Sequence, residues 1–209
     1  MQTVVLVDYG SGNVHSARKA LVRAAHEAGI AADIVLSGDP DRVAKADRVV
    51  LPGVGAFGAC RAMLDGKAGL VDALTHSVLE EKQPFLGICV GMQLLADEGV
   101  EHGHAAGLGW IGGQIRPLSA PGLKIPHMGW NTVEGAGHPL LPPDGDAYFV
   151  HSYCFQPNKP DAVAAQSTYG ETFCAMVAKG NVAGVQFHPE KSQAYGLQFL
   201  SNFLTWDPS

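Results

Sequence analysis

Charge is scarce in this sequence. Only 16% of its 209 residues are Asp, Glu, Lys or Arg, against ~25% in an average soluble domain. The 14 basic residues form no cluster and are outnumbered by 20 acidic ones, so a nucleic-acid-binding surface is not expected. No apolar run approaches the ~18 residues of a membrane span. The start, Met1-Gln2-Thr3-Val4-Val5-Leu6-Val7, lacks the basic region that opens a signal peptide and reads as a buried strand. A cytoplasmic protein without membrane contact is the expectation. The cysteines, Cys60, Cys89, Cys154 and Cys174, make no C-x-x-C pair, and the nine histidines make no H-x-x-x-H pair. That argues against a metal centre and for reduced thiols. A Walker-type phosphate loop is missing too. Gly10-Ser11-Gly12-Asn13-Val14-His15 puts His15 where a dinucleotide loop needs glycine, and Gly107 to Gly112 fits the pattern in letters but follows no clear strand. No cofactor is called for.

What is present is ordinary core material and much glycine. The chain is 46% hydrophobic and has 26 glycines, about 12% against a usual ~7%. With no Gly/Ser linker, those glycines serve turns and close backbone approaches, and residues 1–209 read as one domain. The first half alternates strand and helix. Val4–Val7, Ile34–Leu36, Val49–Leu51 and Phe85–Ile88 are short apolar runs of the buried-strand type. Helices are predicted from an Asn13 cap to about Ala28, with Gly29 as the stop, and over about Leu70–Glu81 and Val90–Ala96. This rhythm implies a parallel sheet wrapped by helices. In the second half prolines recur, and β-like runs at Tyr148–His151, Val163–Ser167, Cys174–Ala178 and Val182–Phe187 extend the sheet with antiparallel or mixed strands. A last helix covers about Ser192–Leu204, with Leu197, Leu200, Phe203 and Leu204 toward the core. The fold class is therefore α/β, three-layer, with an open, mixed but mostly parallel sheet and helices on both faces.

Chemistry concentrates in three segments. Gly87-Ile88-Cys89-Val90-Gly91 stands at a strand-to-helix junction and has the form of a nucleophile elbow with Cys in place of Ser. Taken alone, a cysteine such as Cys89 is far more often inert packing than a nucleophile. At an elbow, the helix N-terminus favours negative charge on sulfur. Gln186-Phe187-His188-Pro189-Glu190 supplies a base. Pro189 biases His188 toward an extended backbone, which puts residues i and i+2 on one side, so Glu190 can reach the imidazole. An isolated H-P-E is more often a solvated turn; its pairing with the elbow makes it a candidate triad. Pro52-Gly53-Val54-Gly55 ends a strand and can turn a backbone N–H toward an oxyanion, with the Val90 N–H as second donor. Together the parts describe acyl transfer through a thiol.

The elbow, extended to Met92-Gln93, and Gly184-Val185-Gln186-Phe187-His188-Pro189-Glu190-Lys191-Ser192 resemble the class I, triad-type glutamine amidotransferases. Asp8–Asn13, Leu51–Phe57, Lys124-Ile125-Pro126-His127-Met128-Gly129-Trp130-Asn131 and Tyr148–Tyr153 narrow the likeness to the glutaminase subunits of imidazole glycerol phosphate synthase, over essentially the whole chain. The resemblance implies that Cys89, His188 and Glu190 are the catalytic triad and that Gly53, Val54 and Val90 form the oxyanion hole. It implies that Gly55, Gln93, Glu101, Ser152 and Tyr153 hold L-glutamine, and that His127, Met128, Trp130 and Asn131 face a partner. The partner is a separate (βα)₈-barrel cyclase, which uses the ammonia to make imidazole glycerol phosphate and aminoimidazole carboxamide ribotide in histidine biosynthesis. In this family the oxyanion strand is misaligned at rest, so low activity is expected of the chain alone. Two other readings stay open: a glutaminase subunit of anthranilate or aminodeoxychorismate synthesis, and an inactive amidotransferase-like scaffold.

Overall fold

The computed structural model describes residues 1–135, 137–143 and 145–208. Strand β1 (Gln2–Val7) opens the chain, followed by α1 (Val14–Glu27), β2 (Ala32–Ser37), α2 (Pro40–Ala44), β3 (Arg48–Gly53), α3 (Phe57–Asp65), α4 (Leu70–Thr75), β4 (Phe85–Cys89) and α5 (Val90–Gln93). Short strands β5 (Glu98–Gly99) and β6 (Ala105–Ala106) come next, then β7 (Gly113–Pro117), β8 (His127–Gly135), β9 (Gly145–His151), β10 (Tyr153–Pro157), β11 (Val163–Tyr169), β12 (Glu171–Lys179), β13 (Val182–Val185) and α6 (Gln193–Thr205).

Nine strands form the main sheet in the order β2-β1-β3-β4-β13-β12-β11-β8-β9. The first five are mutually parallel and the rest antiparallel. Burial explains the division. Strands β3, β4 and β13 are apolar runs buried almost end to end, as strands covered by helices on both faces must be. Strand β9 instead alternates buried and partly exposed residues, the period of a half-solvated antiparallel strand. Helices α1 and α6 pack together, while α2, α3 and α4 form a second group.

The sequence expectation of an α/β fold with a mixed sheet holds, but the sheet is not mostly parallel: four of its eight strand pairings are parallel and four antiparallel, and there are local differences. A second sheet, β10-β7-β5-β6, was not anticipated; β5 and β6 have two residues each, too few for a periodic signal. Asn13 occupies the N-cap position of α1 but makes no side-chain cap bond. The stretch expected as one helix over 70–81 is α4 continued by a π-helical turn, His76–Glu80. The helix expected over 90–96 has only four residues. No helix among the described residues is long and apolar enough to cross a membrane.

The two ends of the chain meet. Arg48 Nη1 donates to the carbonyls of Phe203 (2.9 Å) and Trp206 (2.7 Å), Arg48 Nε donates to Gln2 Oε1 (2.7 Å), and Gln2 Nε2 donates to the Leu204 carbonyl (2.9 Å). These bonds satisfy carbonyls that a helix C-terminus leaves without intrahelical donors. Because a hydrogen bond to a charged group contributes ~1.5–3 kcal/mol, Arg48→Ala is expected to cost about 2 kcal/mol. Urea unfolding at pH 7 measures this, and a loss near zero would mean that water caps α6 equally well.

Candidate active site

The site is assembled where parallel strands end. Register pairs Gly53 of β3 with Cys89 of β4, and Ile88 of β4 with Val185 of β13. Residues 53–55, 89–90 and 186–190 therefore leave the sheet at one edge. Cys89 has φ 55° and ψ −112°, a strained conformation for a residue with a Cβ. Packing enforces it. A Cβ at Gly91 would overlap the Leu51 carbonyl, and one at Gly87 would overlap the Gly91 backbone. Only glycines let the elbow close this tightly. Since α5 is a single turn of four residues, the dipole of a long helix is not there to favour a sulfur anion, which corrects the expectation from sequence.

The Cys89 sulfur lies 3.7 Å from Gln186 Nε2 and 3.9 Å from the Val150 carbonyl, and it interacts electrostatically with the His188 imidazole. His188 is extended (φ −101°, ψ 97°), and its Nδ1 is 2.9 Å from Glu190 Oε1, with both side chains almost wholly buried. The His188 peptide N–H donates to the Tyr148 carbonyl, and Ser192 Oγ bridges the His188 carbonyl and the Tyr148 N–H. The ring is therefore clamped through its backbone to β9. Burial disfavours the imidazolium, but contact with Cys89 and Glu190 outweighs it and raises the His188 pKa. Such a triplet can hold a proton on nitrogen beside a sulfur anion. Burial keeps the remaining thiols protonated: Cys60 is raised, Cys154 is pushed up to about 11 and Cys174 to about 12.

The strand next to Cys89 is held by a residue that sequence reasoning passed over. The Val54 N–H donates to Ser11 Oγ (3.2 Å), and the same hydroxyl lies 2.8 Å from the Val54 carbonyl. Cys60 Sγ, 3.3 Å from that carbonyl and 3.2 Å from Ser11 Oγ, completes the clasp. The Val54 N–H is thus engaged within the protein. Ser11 belongs to the glycine-flanked turn after β1, and its role is invisible without the fold.

The expected glutamine-binding residues surround this edge with different commitments. Gly55 is exposed, with φ 101°. Gln93 Nε2 donates to Gln186 Oε1 (3.0 Å) and to the Tyr153 carbonyl (3.3 Å). Ser152 and Tyr153 follow β9 and are partly buried. Glu101 Oε2 accepts the Phe57 N–H at 2.7 Å and so caps α3. Of the expected partner-facing residues, Met128 and Trp130 are exposed at 62% and 48%, although their composition alone suits a core. Asn131 is partly exposed. His127 requires a correction: it is buried, stacked between Phe149 and Tyr169, because its position on β8 turns the ring inward. His151, its neighbour across the β8–β9 pair, was assigned no role from sequence. Among the described residues no group of three or more His, Cys, Asp or Glu side chains could hold a metal ion.

A family model, glutamine amidotransferase class-I, matches residues 5–206. The chain belongs to this family. A relative from Rhodospirillum rubrum, 55% identical over 98% of this chain and 99% of its own, is named imidazole glycerol phosphate synthase subunit HisH. A Caulobacter vibrioides protein of the same name is 54% identical with both chains fully covered. Within the amidotransferases, the chain groups with these HisH subunits. A crystal structure of a glutamine amidotransferase superposes with a TM-score of 0.71 at 22% identity, covering 96% of this chain and 98% of that one, and shares the fold.

Burial makes one edge of the site acid-sensitive. His151 is pushed down to about 4 by burial, and the neighbouring His127 and His188 lower it further, against the Tyr153 carbonyl, which raises it. In the unfolded chain it titrates near 6.5. Between those values the unfolded state binds more protons, so this group's stability is complete above about pH 6.5 and is lost as pH falls toward 4, by about 3 kcal/mol. Urea midpoints at pH 7 and pH 4.5 should differ by more in the wild type than in His151→Phe. Equal differences would contradict the buried neutral ring.

Proposed function

We propose that the chain is the glutaminase subunit of imidazole glycerol phosphate synthase in histidine biosynthesis, a cytoplasmic enzyme. It hydrolyses L-glutamine and delivers ammonia to a separate (βα)₈-barrel cyclase subunit. The observation that carries this reading is the buried Cys89–His188–Glu190 arrangement on a strained elbow, in a chain with whole-length HisH relatives.

The chemistry follows from the geometry. Cys89 sulfur, as thiolate, attacks the side-chain amide carbon of glutamine; a C–S bond forms, and the carbonyl electrons move to oxygen. The N–H groups of Val90 and Val54, the latter following Gly53, stabilise that oxyanion. Collapse expels the nitrogen, which takes the His188 proton and leaves as ammonia. Water then attacks the thioester while giving a proton to His188. The C–S bond breaks, the electron pair returns to sulfur, and glutamate departs. Glu190 holds the imidazole tautomer and stabilises its cation throughout. Gly55, Gln93, Glu101, Ser152 and Tyr153 hold the amino-acid end of glutamine. For Glu101 this means exchanging the Phe57 N–H for the substrate ammonium. Met128, Trp130 and Asn131 meet the cyclase.

Activity is gated at Val54. Its N–H is engaged by Ser11, so the resting hole has one donor instead of two. A hydrogen bond of this kind contributes about 1 kcal/mol net, whereas an oxyanion donor contributes ~2.7–4 kcal/mol. The clasp is therefore strong enough to hold the resting state and weak enough for the partner to release.

Two measurements test the reading. Glutamate release from glutamine should be slow for the chain alone and strongly stimulated by the cyclase with its nucleotide substrate, and it should vanish in Cys89→Ala. Silence in every condition would favour another synthase partner or an inactive scaffold. Ser11→Ala should raise the basal rate of the free chain about fivefold, the Boltzmann equivalent of the lost bond, and reduce the stimulation ratio. An unchanged basal rate would remove Ser11 from the gate.

A further inference from the structure

Behind the nucleophile lies a chain of hydrogen bonds whose direction can be assigned from its two ends. Asn131 Oδ1 accepts the Thr132 N–H (2.9 Å), and its Nδ2 donates to the Thr168 carbonyl (2.8 Å), which fixes how the amide is turned. The same Nδ2 lies 3.4 Å from His127 Nε2. An amide nitrogen only donates, so His127 Nε2 is the acceptor and the ring's proton is on Nδ1. His127 Nδ1 is 3.0 Å from His151 Nε2, and His151 Nδ1 is 2.9 Å from the Tyr153 carbonyl. A carbonyl only accepts, so His151 also carries its proton on Nδ1 and accepts at Nε2. Reading from either end gives the same result: two neutral rings, both of the Nδ1–H tautomer. A second proton on either would set N–H against N–H or against the Asn131 amide. Burial pushes both rings toward the neutral form as well.

The chain continues to the nucleophile. The Tyr153 carbonyl that receives His151 also receives Gln93 Nε2. Gln93 in turn bonds Gln186 Oε1, and Gln186 Nε2 donates toward Cys89 sulfur. Shape alone does not require imidazoles here. Phe149, Tyr169 and Phe173 surround the two rings, and phenylalanine would fill the same space without burying polar nitrogen.

We propose that His127 and His151 are a positioning pair: a tautomer-locked relay that fixes the Tyr153 carbonyl, and with it Gln93, at the glutamine-binding edge. For its kinetic consequence this rests on the glutaminase reading. A pair that only fills the core would need no particular tautomer and would not separate KM from kcat.

The test uses the full chain with ¹⁵N-labelled histidine, read by long-range proton–nitrogen NMR at pH 7.5. Both rings should be neutral and protonated on Nδ1, the form that free histidine disfavours. Either ring found as Nε2–H or as imidazolium overturns the proposal. In complex with the cyclase and its substrate, His151→Phe should raise KM for glutamine about tenfold while changing kcat less than threefold. His127→Phe should act in the same direction more weakly. Variants that fold with an unchanged KM overturn the proposal too. Should a variant fail to fold, the wild-type tautomers still decide it. A wild-type chain inactive in the complex would refute the glutaminase reading instead, leaving the tautomers to decide the pair.

Discussion

The site depends on the parallel pairing of β4 with β3 on one side and β13 on the other. Parallel strands end on the same edge, so one register brings together three segments that are up to 137 residues apart (53 to 190). The pairing also sets the limits on composition. Strand β4 is buried throughout, and the turn that follows it runs against the Leu51 carbonyl with no room for a side chain at Gly91. The strain at Cys89 is maintained by those neighbours, and the orientation of its side chain belongs to the whole sheet rather than to its own loop.

What could be read in the sequence follows from how local each signal is. The buried strands were legible because both-face burial produces runs of Val, Leu and Ile without polar interruption. The elbow and the His188–Glu190 pair were legible because each is contiguous and its geometry follows from backbone chemistry: glycine spacing in one case, a proline-induced extended residue in the other. Ser11 and His151 were not. Ser11 meets Val54 across 43 positions, and the His127–His151 bond spans 24. Neither residue type is unusual in its setting. His127 shows the same limit from the other side: a motif can mark a segment as important, but which residues of a strand face inward depends on where its register begins. Met128 and Trp130, apolar yet exposed, fall on the outward side for the same reason.

The two hydrogen-bonded assemblies flank Cys89 in complementary ways. The Ser11–Val54–Cys60 clasp is small, partly exposed and made of neutral groups, so modest energies can rearrange it. The histidine relay is buried, aromatic-walled and satisfied at both ends, and breaking any link would leave polar atoms unpaired in a low-dielectric interior. The site thus has one adjustable wall and one fixed wall, and the proposed gate lies in the adjustable one.

The state of the other three sulfurs has a practical consequence. Alkylating agents and oxidants act on thiolates, and burial keeps Cys60, Cys154 and Cys174 in the thiol form at neutral pH. In the folded state they are poor competitors for an electrophile. On the glutaminase reading the chain would therefore behave as a single-thiol protein without mutagenesis: covalent labelling before denaturation would report on position 89, with the remaining cysteines appearing only after unfolding.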